Sequence, residues 1–230
     1  MRGRVEIPRK WRLLWATLVF GGMAALAIAQ PNSGRGGQIV PLGPDTPGGV
    51  VLVERLREGG LVMYFRHADT TGTTCDRTYR IGDRAGQRNI SEDGREQSRR
   101  IGVAIRDLGI PIHYPVLAGP VFRARDTAEF AFGVDRVEVT DSLLADDYAG
   151  SRLNWVLSEH RRLFSAPVAS GGNLILVGHR TPGLIAIDRQ VTRENFPEGT
   201  ALIIDPNGGE PLLIGVLELA PIPGALGDMC

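Results

Sequence analysis

The chain has 230 residues, and its 26 basic and 26 acidic side chains balance to a formal net charge of zero. Hydrophobic residues make up 43% and charged residues 23%, an ordinary globular composition that excludes a disordered, collagenous or coiled-coil chain. The length allows one sizeable domain, and the balanced charge gives no reason to expect nucleic acid as a partner.

The N-terminal segment has the composition of a secretory signal peptide. Five basic residues precede Leu13–Ala29, an uncharged apolar run of 17 residues that ends in Ala27-Ile28-Ala29. A basic start, an apolar run and small residues at a cleavage point predict that residues 1–29 direct export and are removed. The alternative is an uncleaved membrane anchor, although the run is at the short end for a bilayer span. We therefore expect a periplasmic or secreted protein with no stable membrane association after cleavage.

A segment rich in glycine and proline follows. Residues 30–49 show no hydrophobic periodicity, which predicts a flexible linker or arm. The folded domain is then expected to cover residues 50–230.

Helix and strand patterns alternate along this domain. The predicted helices are Val50–Glu58, a segment that begins after Ser91 and ends at Gly109, Phe122–Phe132 and Arg152–Phe164. The predicted strands are Leu61–Phe65, Val116–Ala118, Val137–Val139, Leu174–Val177, Ala201–Ile204 and Leu212–Leu219. This alternation predicts a three-layer α/β/α sandwich with a mostly parallel central sheet. The last two strands lie close enough in the chain to form a hairpin, which makes the sheet mixed.

A polar loop, Asp69–Asn89, separates the first strand from the second helix. It contains four arginines, at positions 77, 80, 84 and 88. Loops of about twenty residues are usually functional or disordered, so this one is either a lid over a polyanionic substrate or a solvated loop with internal ion pairs.

The two cysteines, Cys75 and Cys230, leave two possibilities open. In an oxidising compartment they could form a disulfide, or they could remain independent thiols. Their separation does not match a zinc site, and we expect no metal and no cofactor.

The residues that follow three predicted strands favour an anion site. Arg66 and His67 follow the first strand, His179 follows Leu174–Val177, and Arg123 opens the helix after Val116–Ala118. In α/β sheets, ligands bind beyond the carboxyl ends of the strands. Arginines bind phosphoryl oxygens with bidentate hydrogen bonds, and a neutral imidazole can attack phosphorus. The set therefore favours phosphoryl chemistry.

Five segments resemble, in the same order, motifs of the histidine phosphatase superfamily, the clan that includes cofactor-dependent phosphoglycerate mutases. They are YFRHADT, NISEDGREQSRRIG, GPVFRARDTAEFAFG, LLADDYAG and LILVGHRTPG, and they cover about residues 60–185. The first resembles the family's Arg-His-Gly signature, and the last resembles the strand that delivers its second histidine. The ordered set is more specific than any one segment.

The resemblance implies a role for each matched residue. His67 is the expected nucleophile, and Arg66, Arg123 and His179 are expected to bind the phosphoryl oxygens. Asp146 matches the position of the acid that protonates the leaving group, and the adjacent Asp147 is its rival. Possible substrate contacts are Thr70, Arg80 and Arg180.

Two departures from the family pattern bear on this expectation. Ala68 replaces the signature glycine, which is tolerable if the backbone there is not left-handed, and Ala118-Gly119 replaces two serines. The expected function is hydrolysis of small phosphomonoesters through a phosphohistidine. The alternatives are a non-catalytic phospho-ligand binding protein on the same scaffold and, less expected, a mutase. Neither the substrate nor the oligomeric state follows from the sequence.

Overall fold

The computed structural model describes residues 39–223, which form a mixed α/β domain. Its sheet has seven strands in the order β1-β7-β6-β2-β5-β3-β4. In chain order the strands are β1 (Pro41–Leu42), β2 (Val62–Arg66), β3 (Val116–Ala118), β4 (Val137–Val139), β5 (Leu174–Gly178), β6 (Ala201–Asp205) and β7 (Leu212–Leu217). Only β6 runs against the others, pairing antiparallel with both β2 and β7. The predicted mostly parallel, mixed sheet and its final hairpin are therefore confirmed.

Helices cover both faces of this sheet. They are α1 (Pro47–Glu58), α2 (Glu92–Asp107), α3 (Phe122–Phe132), α4 (Asp146–Ala149), α5 (Leu153–Ser165) and α6 (Arg180–Ala186). Residues of α1, α2 and α3 share one hydrophobic cluster with Met63 and Phe65, and residues of α5 and α6 share another with Val62 and Tyr64. Alternate side chains of β2 thus enter opposite layers, which is why its sequence is a continuous apolar run. The three-layer α/β/α prediction is confirmed.

The predicted linker is wrong over its last part. Pro41–Leu42 pairs in parallel with β7, and α1 begins at Pro47 with Thr46 as its N-cap. Gly49 has no room for a side chain, because a Cβ there would lie 1.8 Å from the carbonyl oxygen of Gly43. The glycines that indicated a flexible segment instead allow close backbone packing. Residues 1–38, which include the predicted signal peptide, lie outside the described residues.

The topology brings three strand ends together. β2, β5 and β3 are parallel neighbours, with Arg66 paired to Gly178 and Ala118 paired to Val177. Their carboxyl ends therefore lie at the same edge of the sheet.

Across residues 39–223, no helix is both long and apolar enough to span a bilayer.

Candidate active site

The four residues predicted to surround a phosphoryl group converge on one cavity. Arg66, His67, Arg123 and His179 all line a space of about 410 Å³. Each is nearly buried, with 3–7% of its surface exposed, and the two imidazole centroids are 5.5 Å apart. The expected convergence of side chains from three strand ends is thus present in the structure.

The backbone fixes the tautomer of His67. Its Nδ1 lies 2.9 Å from the carbonyl oxygen of Ala68, which can only accept a hydrogen bond. Nδ1 must therefore carry a proton, so the lone pair of the neutral ring is on Nε2. Ala68 is not among the described residues with a positive φ, and its N–H donates to Thr127 at 2.8 Å. The glycine of the family signature is not required at this position.

The surroundings of His67 keep its imidazole neutral. Burial lowers its pKa well below the ordinary value of 6.5, and the positive charges of Arg66 and Arg123 act in the same direction. The hydrogen bond to Ala68 opposes this shift without cancelling it. A neutral ring with its lone pair on Nε2 is the state that nucleophilic attack requires.

A carboxylate that the sequence analysis missed holds Arg66. Glu198 Oε1 accepts hydrogen bonds from the guanidinium of Arg66 at 3.1 Å, from that of Arg88 at 2.8 Å and from the hydroxyl of Thr70 at 2.7 Å. It also lies 3.8 Å from Nδ1 of His67. Burial raises the pKa of Glu198, although the neighbouring arginines favour its charged form. Glu198 therefore sets the position of the Arg66 guanidinium beside His67.

A carboxylate in the loop Asp69–Asn89 holds the guanidinium of Arg123. Its Nη1 lies 3.2 Å from Oδ2 of Asp76, whose other oxygen accepts from the hydroxyl of Tyr148 at 2.5 Å and from the N–H of Arg88 at 2.8 Å. Asp76 in the loop thus orients the guanidinium of Arg123, and Tyr148 of α4 holds Asp76 in place. Nothing in the residue pattern of Asp69–Asn89 singled out Asp76 for this contact.

His179 is positioned by a tyrosine on the neighbouring strand. The hydroxyl of Tyr64 donates to the carbonyl of His179 at 2.7 Å and accepts from its N–H at 2.7 Å. Glycine is required at 178 and 183, because a Cβ at either would lie 2.4 Å from the Tyr64 side chain. Both backbone polar groups of His179 are therefore fixed by one buried hydroxyl.

The ring of His179 has both nitrogens available for a ligand. Nδ1 and Nε2 are buried, and neither has a hydrogen-bond partner within residues 39–223. Burial lowers the pKa of His179 well below 6.5, followed by the effect of the positive charge of Arg123. Buried polar atoms without partners are costly, so their presence at a cavity indicates a ligand-binding role.

The absence of the two serines of the motif that this segment resembles has a steric explanation at one position. A Cβ at Gly119 would lie 2.3 Å from the carbonyl oxygen of Leu143 and 3.6 Å from Nε2 of His179. A serine does not fit there without moving the backbone at residue 143. The glycine keeps the wall of the cavity close to His179.

Both candidate proton donors line the cavity. Asp146 and Asp147 form the first turn of α4, a short helix that the sequence analysis did not predict. Burial raises the pKa of Asp147, and the charge of Asp146 adds to this shift while Arg123 opposes it. The raised pKa favours Asp147 as the proton donor, whereas the resemblance of the segment to the family motif favours Asp146.

The three possible substrate contacts have different surroundings. Arg180 lines the cavity. Thr70 is buried and donates to Glu198 through both its N–H and its hydroxyl, so it helps to position the Glu198 carboxylate. Arg80 is exposed and does not line the cavity, and its carbonyl accepts from the side chain of Gln87. The structure supports a direct contact for Arg180 alone.

The ion pairs of the long loop run to the rest of the domain. Arg84 binds both oxygens of Asp126 on α3 at 2.6 and 2.8 Å, and Arg88 binds Glu198. The expectation of ion pairs internal to the loop is therefore wrong for these two arginines. These ion pairs hold the loop beside the cavity, and the loop contributes Cys75, Asp76, Tyr79 and Arg88 to the cavity wall.

Cys75 is disulfide-bonded, and Cys230 lies outside the described residues.

Three solved structures show a distant similarity to this chain. The protein histidine phosphatase SixA, solved with tungstate, is 17% identical over 69% of this chain and 96% of its own, with a TM-score of 0.44. An α-ribazole phosphatase from Shigella flexneri is 14% identical over 70% and 97%, with a TM-score of 0.46. A mutant phosphoserine phosphatase from Entamoeba histolytica, solved with phosphoserine, is 11% identical over 68% and 95%, with a TM-score of 0.43.

No protein-family profile matches the chain, and no curated protein matches it. Within residues 39–223, no group of three or more histidine, cysteine, aspartate or glutamate side chains is placed to hold a metal ion.

Proposed function

We propose that the protein is a histidine phosphatase, which hydrolyses phosphomonoesters through a phosphohistidine on His67. The observation that carries this proposal is the bond from Nδ1 of His67 to the carbonyl of Ala68, in a cavity shared with Arg66, Arg123 and His179. That bond leaves the lone pair on Nε2, and the surrounding cations suit the charge of a phosphoryl group. Preorganised cations of this kind stabilise phosphoryl transfer.

The first chemical step transfers the phosphoryl group to the enzyme. Nε2 of His67 attacks phosphorus, and the bond from phosphorus to the alcohol oxygen breaks. Arg66, Arg123 and His179 donate hydrogen bonds to the phosphoryl oxygens. A carboxyl group of the Asp146–Asp147 pair gives its proton to the leaving alcohol, because an alkoxide is a poor leaving group.

The second step regenerates the enzyme. Water attacks phosphorus, the bond to Nε2 breaks, and inorganic phosphate leaves. The carboxylate formed in the first step takes the proton that the water loses, which restores its acid form. The protein groups in the cavity account for every proton and bond in this cycle.

Removal of the nucleophile tests the proposal. We expect His67→Ala to lower kcat for p-nitrophenyl phosphate by at least about a thousandfold, because the covalent step is lost. The matched control is His113→Ala, which removes a partly exposed imidazole that bonds to the carbonyl of Ala169 outside the cavity. Both variants are checked for a wild-type unfolding transition. Full activity in His67→Ala contradicts the proposal, whereas phosphate binding without turnover in the wild type favours a non-catalytic binding protein.

We also propose that the protein acts outside the cytoplasm. The pattern of residues 1–29 supports export, and a disulfide at Cys75 suits an oxidising compartment. N-terminal sequencing of the protein recovered from its native host tests this proposal. A mature chain that starts at Gln30 agrees with it, and a chain that keeps residues 1–29 in the cytoplasm contradicts it.

A further inference from the structure

A second cavity adjoins the one that contains His67. It has a volume of about 200 Å³ and lies between α6 and the chain that follows it. Thr181 and Arg193 line both cavities, so the two share a wall. A molecule with its phosphoryl group at His67 has this second space beside it.

Three of the seven residues that line the second cavity are apolar. Leu184 and Ile185 of α6 contribute to it, and Val191 contributes from the following segment. Leu184 and Val191 are almost fully buried and belong to the hydrophobic cluster beneath α5 and α6. This lining suits a small hydrocarbon or aromatic group.

Two arginines give the same cavity a positive charge. Arg189 and Arg193 both line it, and no carboxylate of residues 39–223 lies within 4.0 Å of either guanidinium. The neighbouring carboxylate of Glu194 bonds to its own backbone and to the side chain of Thr192, and the positive charge of Arg193 also lowers its pKa although the two groups form no ion pair. Both guanidinium groups can therefore still bind an anion.

The backbone holds Arg189 at this cavity in an unfavourable conformation. Asp188 and Arg189 have φ angles of 53° and 56°, and the N–H of Arg189 donates to the carbonyl of Leu184 at 2.7 Å. Two successive left-handed residues that are not glycine cost conformational free energy, and such strain concentrates at functional positions. The turn places an arginine where α6 ends beside the apolar lining.

We propose that this second cavity binds the alcohol portion of the substrate, and that the substrate is a phosphomonoester with a second anionic group beyond a small apolar body. The proposal rests on the phosphatase function argued above and narrows its substrate class. The phosphoryl group lies at His67, the apolar body lies against Leu184 and Val191, and the second anion binds Arg193 and Arg189.

Matched aryl phosphates test this assignment. The substrates are phenyl phosphate, the 3- and 4-carboxyphenyl phosphates, and 4-(hydroxymethyl)phenyl phosphate, which is a neutral match for size. For at least one carboxylate isomer we expect a kcat/KM about fivefold above that of the neutral match at low ionic strength. In Arg193→Gln this ratio should fall to within about twofold of unity. Arg106→Gln, at an exposed position on α2 that lines neither cavity, should keep the wild-type ratio.

A binding measurement separates this proposal from the phosphatase function. Calorimetry with the full chain compares 4-phosphonobenzoate with phenylphosphonate, neither of which can be hydrolysed at phosphorus. If no ester is turned over but the benzoate binds more tightly through Arg193, the subsite is right and the phosphatase function is wrong. If all the esters are turned over with equal kcat/KM, or if selectivity survives in Arg193→Gln, the subsite is wrong and the phosphatase function stands.

Discussion

The two cavity histidines are held in different ways, and the difference suits different roles. His67 uses Nδ1 to bond the adjacent carbonyl, so only Nε2 is left for chemistry. His179 is fixed through its backbone by Tyr64, and both of its ring nitrogens lack a partner within residues 39–223. A ring fixed at one nitrogen suits a nucleophile, whereas a ring with two unpaired nitrogens suits a donor to a bound anion.

Leaving-group dependence identifies the proton donor. We expect either Asp146→Asn or Asp147→Asn to lower kcat about a hundredfold for glycerol phosphate and much less for p-nitrophenyl phosphate. The reason is that nitrophenolate leaves without a proton, whereas an alkoxide needs one. Steady-state kinetics of both variants on both substrates give the answer, and each variant serves as the control for the other. The absence of a leaving-group-dependent loss in both variants contradicts the role assigned to this pair.

The residues of the site were predictable to different degrees. His67, His179, Arg66 and Arg123 stand at strand ends or in motifs, so their convergence follows from a parallel sheet. Glu198 lies 132 positions from Arg66 in an irregular segment, and no spacing rule relates the two. Its contact with Arg66 depends on how the chain enters β6, which is a tertiary property.

At the scale of elements, Tyr64 joins β2 to the start of α6. Its hydroxyl bonds both polar groups of His179, and its ring packs edge-on against Phe164 of α5 at a centroid distance of 5.0 Å. The glycines at 178 and 183 give the ring the space that it needs. The Tyr64 side chain thus links the sheet, the outer helix layer and His179.

Removal of the Tyr64 hydroxyl tests this link. We expect Tyr64→Phe to lower the free energy of unfolding by roughly 2 kcal/mol, because the buried N–H of His179 loses its partner and the carbonyl of His179 keeps only the N–H of Gly183 at 3.4 Å. It should also lower kcat/KM, since His179 loses its positioning contact. Denaturant unfolding and kinetics check both effects. Tyr114→Phe, which removes an exposed hydroxyl bonded to Arg136, is expected to stay within about 0.5 kcal/mol of wild type. Equal effects from the two substitutions contradict the proposed link.

The predicted bounds matched the structure for elements with a clear sequence pattern. They did not match for elements whose position depends on packing against the rest of the chain. The bounds of α3, β3 and β4 agree with the prediction, since their apolar patterns end at clear breaks. The start of α1 was placed too late because Gly48 and Gly49 suggested a flexible segment, although Thr46 and Pro47 are a good N-terminal signal. Strand β1 has only two residues, so its pairing with β7 leaves no sequence pattern to detect.

At the scale of the whole molecule, three histidines are buried in the neutral form. Burial lowers the pKa of His67 and His179 well below 6.5, and it lowers that of His160 to about 4. Each is expected to take up a proton when the chain unfolds below about pH 6.5. The stability that depends on their neutrality is therefore fully present above that pH and is lost as the pH falls toward the folded-state values. His160 alone accounts for about 3 kcal/mol of this loss.

The pH dependence of unfolding checks this account. We expect His160→Gln to reduce the slope of unfolding free energy against pH by about 1 kcal/mol per pH unit between pH 5 and 6. The slope measured for the wild-type protein is the reference. Urea unfolding at several pH values gives both slopes. If His160→Gln keeps the wild-type slope, the neutral burial of His160 is not linked to acid stability.

Covalent transfer to a single imidazole nitrogen is the central claim, and trapping it is the most direct measurement. The full chain is mixed with phosphorus-labelled phenyl phosphate, quenched in alkali within milliseconds, digested and mapped by mass spectrometry. We expect a label on His67 that survives alkali, is lost in acid and is absent from His67→Ala. Release of phosphate with no label on His67, or with label on another residue, contradicts it.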